Sequence, residues 1–305
     1  LEMRAGLLLR QSAAAPAVPG FALFAGGTTG TYQTLTDKYE FDTASVSAGT
    51  SLGVAKASGG GASNRTYGIF AGGTSGGGGS IASSEKYAFS SDTRSVGGSL
   101  SSARFGCPGV GDATRGIFAG GYITATSARQ ATVDSYAYAT DGVAAGTALG
   151  TARYEAAAAG NDSRGIIACG TATSAIATTE KYTYATDARV SGTSLNTSRS
   201  QFAAAGDATK GLFVGGRNPT FQSVCEQYTY SSDTRSAGTS LPAARIGHGG
   251  AADATIAVFG LGYTSAATAT TVVYTLATGS RAAGTTLVGT PRFYMAACSS
   301  TPGHL

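Results

Sequence analysis

Residues 199–241 read RSQFAAAGDATKGLFVGGRNPTFQSVCEQYTYSSDTRSAGTSL, and they divide into four strand-sized pieces. Arg199-Ser200-Gln201-Phe202-Ala203-Ala204-Ala205 is small and largely apolar, and Gly206 to Gly211 is made of residues that favour a reversal. Leu212-Phe213-Val214-Gly215-Gly216 follows. After a loop comes Glu226-Gln227-Tyr228-Thr229-Tyr230, whose two tyrosines stand two apart and so share one sheet face. A turn at Ser231-Ser232-Asp233-Thr234 leads to a fourth piece that closes at Leu241. The pattern predicts a four-stranded antiparallel meander.

The same landmarks recur through the chain. The aromatic pair returns as Tyr39/Phe41, Tyr87/Phe89, Tyr136/Tyr138, Tyr182/Tyr184 and Tyr228/Tyr230, with Tyr274/Leu276 in the sixth copy. The closing leucine returns at Leu52, Leu100, Leu149, Leu195, Leu241 and Leu287. Units of this size cannot bury their own faces and must stack on their neighbours. Six meanders of this period predict an all-β, six-bladed β-propeller spanning residues 21–305, with residues 1–20 outside the repeat as a tether. Small residues suit the crowded axis, and they occur where the inner strands are expected, at Gly59 to Gly61, Ala156 to Ala159 and Ala203 to Ala205. The first unit lacks an inner strand, whereas Arg292-Phe293-Tyr294-Met295-Ala296-Ala297-Cys298 is an inner strand without a unit. The C-terminal strand is therefore expected to complete the first blade and remove the open edges.

Composition narrows function. Of the 305 residues 12% are charged, 46 are Gly and 15 are Tyr, with no Trp and a net charge of +4. The cations are spread one per repeat, which argues against a nucleic-acid partner. The apolar run Leu7 to Leu9 is far shorter than a membrane span, so no membrane insertion is expected. Cys107, Cys169, Cys225 and Cys298 show no CxxC spacing and read as small core residues. The only histidines are His248 and His304, too few for a His-rich metal centre, and His248 reads as a satisfied channel or core residue. Gly76 to Gly79 is followed by no Gly-Lys-Ser/Thr and is not a phosphate loop. Ser90 to Ser95 and Ser231 to Ser236 resemble the sialidase Asp-box but lack its glycine and aromatic, so their Asp reads as a cap on turn amides. No catalytic constellation, metal or cofactor is expected.

The strands ending Phe24-Ala25-Gly26-Gly27, Phe70-Ala71-Gly72-Gly73, Phe118-Ala119-Gly120-Gly121 and Phe213-Val214-Gly215-Gly216, each followed by a tyrosine strand, resemble the kelch repeat over residues 21–298. The fourth copy departs with Cys169-Gly170, the sixth with Leu261-Gly262, and the kelch tryptophan is missing throughout. A kelch-like variant is expected. Tyr182-Thr183-Tyr184-Ala185-Thr186-Asp187 and the run Arg115 to Gly121 are similar to Gly/Ala/Thr-rich repeat proteins of tailed bacteriophages. That resemblance implies a non-enzymatic virion component (capsid decoration, tail or fibre) contacting other virion proteins or a host-surface glycan or protein. The alternative is a secreted bacterial carbohydrate-binding propeller.

Two kinds of residue are candidates for contact. Lys56, Arg104, Arg153, Arg199, Arg245 and Arg292 open the expected inner strands. Asp37, Glu85, Asp134, Glu180 and Glu226 open the third strands, with Val272 in the sixth. Both rings are expected on one face, as structural pairs that tie blade to blade, the alternative being a charged binding rim around the channel mouth. The loop between the second and third strands opens on the same face and runs from 9 residues in most units to 11 (Thr74–Ser84) and 12 (Tyr122–Val133). Its variable residues Tyr32, Tyr122, Arg129, Arg217, Asn218, Phe221 and Tyr263 suit sugar or protein contacts.

Overall fold

The computed structural model describes residues 20–301. The expected N-terminal tether therefore lies outside the described residues, save for Gly20, as do residues 302–305 at the end of the expected propeller span. The described chain forms six four-stranded antiparallel sheets arranged as the blades of a propeller. The fifth blade, built from the stretch quoted above, pairs Ala203–Gly206, Lys210–Val214, Cys225–Thr229 and Thr234–Ala237 in sequence order. Each strand begins or ends a little inside the sequence estimate. Arg199 precedes the inner strand by four residues, and Tyr230 lies just past the third.

The first blade is assembled from both ends of the chain. Ala296–Ser299 pairs antiparallel with Phe21–Ala25, which pairs with Thr36–Glu40, with Val46–Ala48 outermost. The ring is thus closed by the C-terminal strand.

Position along the radius dictates composition. Inner strands are buried throughout and meet backbone to backbone: a Cβ on Gly61 would stand 2.0 Å from the Ala297 carbonyl oxygen, and one on Gly109 2.1 Å from that of Gly61. Second strands such as Phe21–Ala25 are buried on both faces and are apolar without alternation. Third strands alternate, and outer strands such as Thr93–Gly97 are mostly exposed and polar. The core lies between blades. One cluster joins Phe21 and Leu23 of the first blade to Phe70, Tyr87 and Phe89 of the second, with Phe21 and Phe89 edge to face at 5.5 Å. Cys107, Cys169, Cys225 and Cys298 are buried free thiols.

Side chains of the turns add further ties. In Gly-Thr-Ser-Leu, the threonine reaches the turn after the third strand of the next blade: Thr193 Oγ1 donates to Asp233 O at 2.6 Å and Thr50 Oγ1 to Asp92 O at 2.5 Å. Asp92 and Asp233 cap amides of Thr50 and Thr193 in the neighbouring blade rather than those of their own turn, which corrects the expectation. No helix among the described residues is long and apolar enough to cross a membrane.

Candidate functional site

The face that carries the candidate residues is organised by two consecutive residues at the end of each second strand. The first has φ between 56° and 71° and the second between 95° and 110° in all six blades. The second region is readily open only to glycine, and Gly27, Gly73, Gly121, Gly170, Gly216 and Gly262 occupy it without exception. The first is left-handed helical, where an L-residue costs about 1–2 kcal/mol, and there Cys169 and Leu261 replace glycine. The N–H of the second glycine donates to the backbone carbonyl of the basic residue leading into the next blade, as in Gly27 to Lys56 at 2.8 Å and Gly262 to Arg292 at 2.9 Å.

The basic side chains turn inward. Arg104 bonds Asp134 at 2.9 Å, Arg153 bonds Glu180 at 2.6 Å, Arg292 bonds Asp37 at 2.8 Å, Lys56 lies 3.6 Å from Glu85, and Arg199 bonds Glu226. All ten residues are buried. Two expectations need correction. The basic residues lie in the segments leading to the inner strands, not at the strand starts, and each carboxylate belongs to the same blade as its cation. The tie between blades comes instead from backbone: each acid also accepts N–H groups of the incoming linker, such as Ser101 N to Asp134 at 2.8 Å and Gly289 N to Asp37 at 2.8 Å. Neither ring forms an exposed rim.

Two residues beyond each basic residue the chain reaches the mouth of the central channel. Ser58, Gly106, Glu155, Gln201, Gly247 and Tyr294 all have φ between 54° and 64°. Their backbones form a closed circle, each N–H donating to the C=O of the preceding blade: Gly106 to Ser58, Glu155 to Gly106, Gln201 to Glu155, Gly247 to Gln201, Tyr294 to Gly247 and Ser58 to Tyr294, at 2.6–3.1 Å. Side chains lean over the neighbour behind them. A Cβ on Gly106 would press on Glu155, and one on Gly247 would stand 2.7 Å from the Tyr294 ring. A cavity of about 90 Å³ opens inside this circle, lined by Glu155, Gln201, His248 and Tyr294 among others.

Electrostatics at the mouth follow from burial. Desolvation raises the Glu155 carboxyl above the usual range, opposed by hydrogen bonds from Gln201 and Ser200 and by the charge of Arg217. His248 precedes its inner strand by one residue and is 4% exposed, and among the described residues neither ring nitrogen has a hydrogen-bond partner, so it is buried but not satisfied there. Desolvation and the Arg245 charge push its pKa down to about 3, although the nearby Val214 backbone favours the protonated form.

The loop residues singled out in the sequence are not one cluster. Each loop folds back as a small hook whose first residue bridges the segment leading into the adjacent inner strand, as Thr28 does with Phe293 and Tyr263 with Ile246. Tyr122 packs with Phe105 (5.4 Å) and Tyr154 (5.1 Å) on one side of the mouth. Tyr263 packs with Phe221 (6.1 Å) and Phe293 (5.2 Å) on another, continuing to Tyr294. Arg129, Arg217 and Asn218 are exposed beside them, Arg217 donating to Pro219 O and Asn218 to Ser198. Tyr32 bridges Thr28 within its own hook. Phe105, Tyr154, Phe293 and the mouth residues Glu155, Gln201 and Tyr294 were not anticipated. Their signal was present, since the pair of residues after each basic residue is different in all six units while a basic residue persists.

Among the described residues no group of three or more His, Cys, Asp or Glu is placed to hold a metal ion. No protein-family model matches the chain, and no curated protein matches it.

Proposed function

We propose that this propeller is a non-enzymatic recognition module, a structural or host-recognition component of a bacteriophage particle, which contacts a protein or glycan through its hook face. The observation that carries the reading is the pair of half-buried aromatic clusters, Phe105/Tyr122/Tyr154 and Phe221/Tyr263/Phe293, flanked by exposed Arg129, Arg217 and Asn218. Aromatic rings already held by packing give flat apolar contact at little entropic cost, and the adjacent polar groups give direction. The placement in a virion rests on the motif resemblance. A secreted bacterial lectin would use the same clusters.

The isolated protein is tested on a glycan array and by mass spectrometry of purified particles. Stoichiometric presence in virions is expected, with partner or glycan binding lost in Tyr122→Ala and Tyr263→Ala. Selective sugar binding with no virion association would favour the lectin, and catalytic turnover by the isolated protein would defeat both readings.

A further inference from the structure

Four successive blades bring Glu155, Gln201, His248 and Tyr294 into the channel-mouth cavity, and the hydrogen-bonding capacity there is one-sided. Gln201 Nε2 donates to Glu155 Oε1 at 2.9 Å, which leaves Gln201 Oε1 buried with no donor among the described residues. The opposite amide orientation would set its oxygen against the carboxylate, so the contact itself assigns the flip. Glu155, to which Gln201 and Ser200 donate, still retains acceptor sites, and a neutral imidazole at His248 adds an acceptor nitrogen to its single donor. The cation acting on Glu155 is Arg217, which is exposed and donates to Pro219 O. Gly106 and Gly247 demonstrate that the backbone circle closes without any side chain, yet Glu155, Gln201 and Tyr294 hold the same left-handed conformation against their intrinsic preference. The mouth is therefore a surplus of acceptors beside an aromatic ring, kept at a conformational cost.

We propose that the channel mouth binds a small organic cation, a primary ammonium or guanidinium group, with its N–H donors directed to Glu155 and Gln201 Oε1 and its charge beside the Tyr294 ring. A cavity of about 90 Å³ takes the last few heavy atoms of a lysine or arginine side chain, or a short free amine. The site adjoins the aromatic hooks through Tyr294, which stacks on Phe293 at 5.1 Å, but its test reads binding of small cations at Glu155 and so is distinguishable from loss of the hook contacts.

The test is calorimetric titration of the intact protein with n-butylammonium and methylguanidinium chlorides, using sodium chloride at matched ionic strength as the blank. Short peptides carrying Lys, Arg or norleucine are titrated in parallel. Saturable binding of the cations is expected, weakened roughly tenfold or more in Glu155→Gln. Glu155→Gly, which reproduces the residue of the third and sixth blades, keeps the ring closed and should abolish binding, with thermal unfolding confirming the fold. Tighter binding of Lys or Arg peptides than of the free ions would identify a protein side chain as the source; equal binding would identify a free amine. No saturable binding by either ion, equal binding by norleucine peptide, or binding unchanged in both variants overturns the proposal.

Discussion

The second tyrosine of the aromatic pair illustrates what a single atom contributes. Tyr138, Tyr184 and Tyr230 are buried, and their hydroxyls find no hydrogen-bond partner among the described residues. Each reaches a pair of glycines in the hairpin between inner and second strands. A Cβ on Gly160 would stand 2.8 Å from the Tyr184 hydroxyl, and one on Gly206 2.8 Å from that of Tyr230. The equivalent positions of the first, second and sixth blades hold Phe41, Phe89 and Leu276, so the pocket accepts an apolar group. An unpaired buried hydroxyl carries a desolvation cost of about 1–3 kcal/mol. Replacing all three tyrosines by Phe is expected to raise stability by about 1 kcal/mol per site, read as a higher urea midpoint; an unchanged or lower midpoint would contradict it. That the two aromatics share a face was legible from their spacing. The fate of the hydroxyl was not, because the glycines it meets belong to a different hairpin.

At the scale of the element, the unit is a linker clamped by an acid and a base, and the sixth blade departs from it at two places together. In four blades the residue after the closing leucine, Gly53, Ser101, Gly150 or Asn196, donates its N–H to the buried acid. The sixth blade has Pro242 there, without an N–H, and Val272 in place of the acid. Donor and acceptor are lost as a pair, which is far less costly than losing one. Arg245 remains buried with no carboxylate partner among the described residues, bonding Leu261 O at 3.2 Å, Thr270 O at 3.1 Å and Thr270 Oγ1 at 2.9 Å. Val272→Glu is expected to couple favourably to Arg245 by about 1–3 kcal/mol in a double-mutant cycle with Arg245→Met, scored by denaturant unfolding. Zero coupling would mean that the two carbonyls and the hydroxyl already satisfy the guanidinium. The substitution of Val272 was visible in the sequence, whereas its link to Pro242 became visible only once the linker was seen to cross from the fifth blade to the sixth.

For the whole molecule, closure depends on one short segment. Arg292 bonds Asp37, Phe24 O and Gly26 O in the first blade, and its carbonyl accepts Gly262 N–H from the sixth. Tyr294 supplies one link of the backbone circle on each side, and Ala296–Ser299 is the inner strand of the first blade. Removing one partner of a buried ion pair costs about 3–5 kcal/mol, a large part of the roughly 5–15 kcal/mol that holds a domain folded. Deleting residues 292–305 also leaves one edge of Phe21–Ala25 unpaired. The truncated chain is expected to lose its cooperative thermal transition and to aggregate; melting at the temperature of the intact protein would refute the dependence.

The repeat period, the face shared by the tyrosines, the small inner strands and the closing strand were determined by the sequence alone, because each is a local pattern repeated six times. The invariant second glycine belongs with them, since φ is a property of one residue. Only the tertiary structure decided that the basic residues turn inward, that Tyr122 and Tyr263 belong to separate clusters, and that Glu155, Gln201, His248 and Tyr294 share one cavity. Those four residues come from four blades and lie up to 139 positions apart in the chain, from Glu155 to Tyr294. Closure of the ring brings them together, and no periodicity along the chain encodes a meeting that depends on the places where the repeats differ.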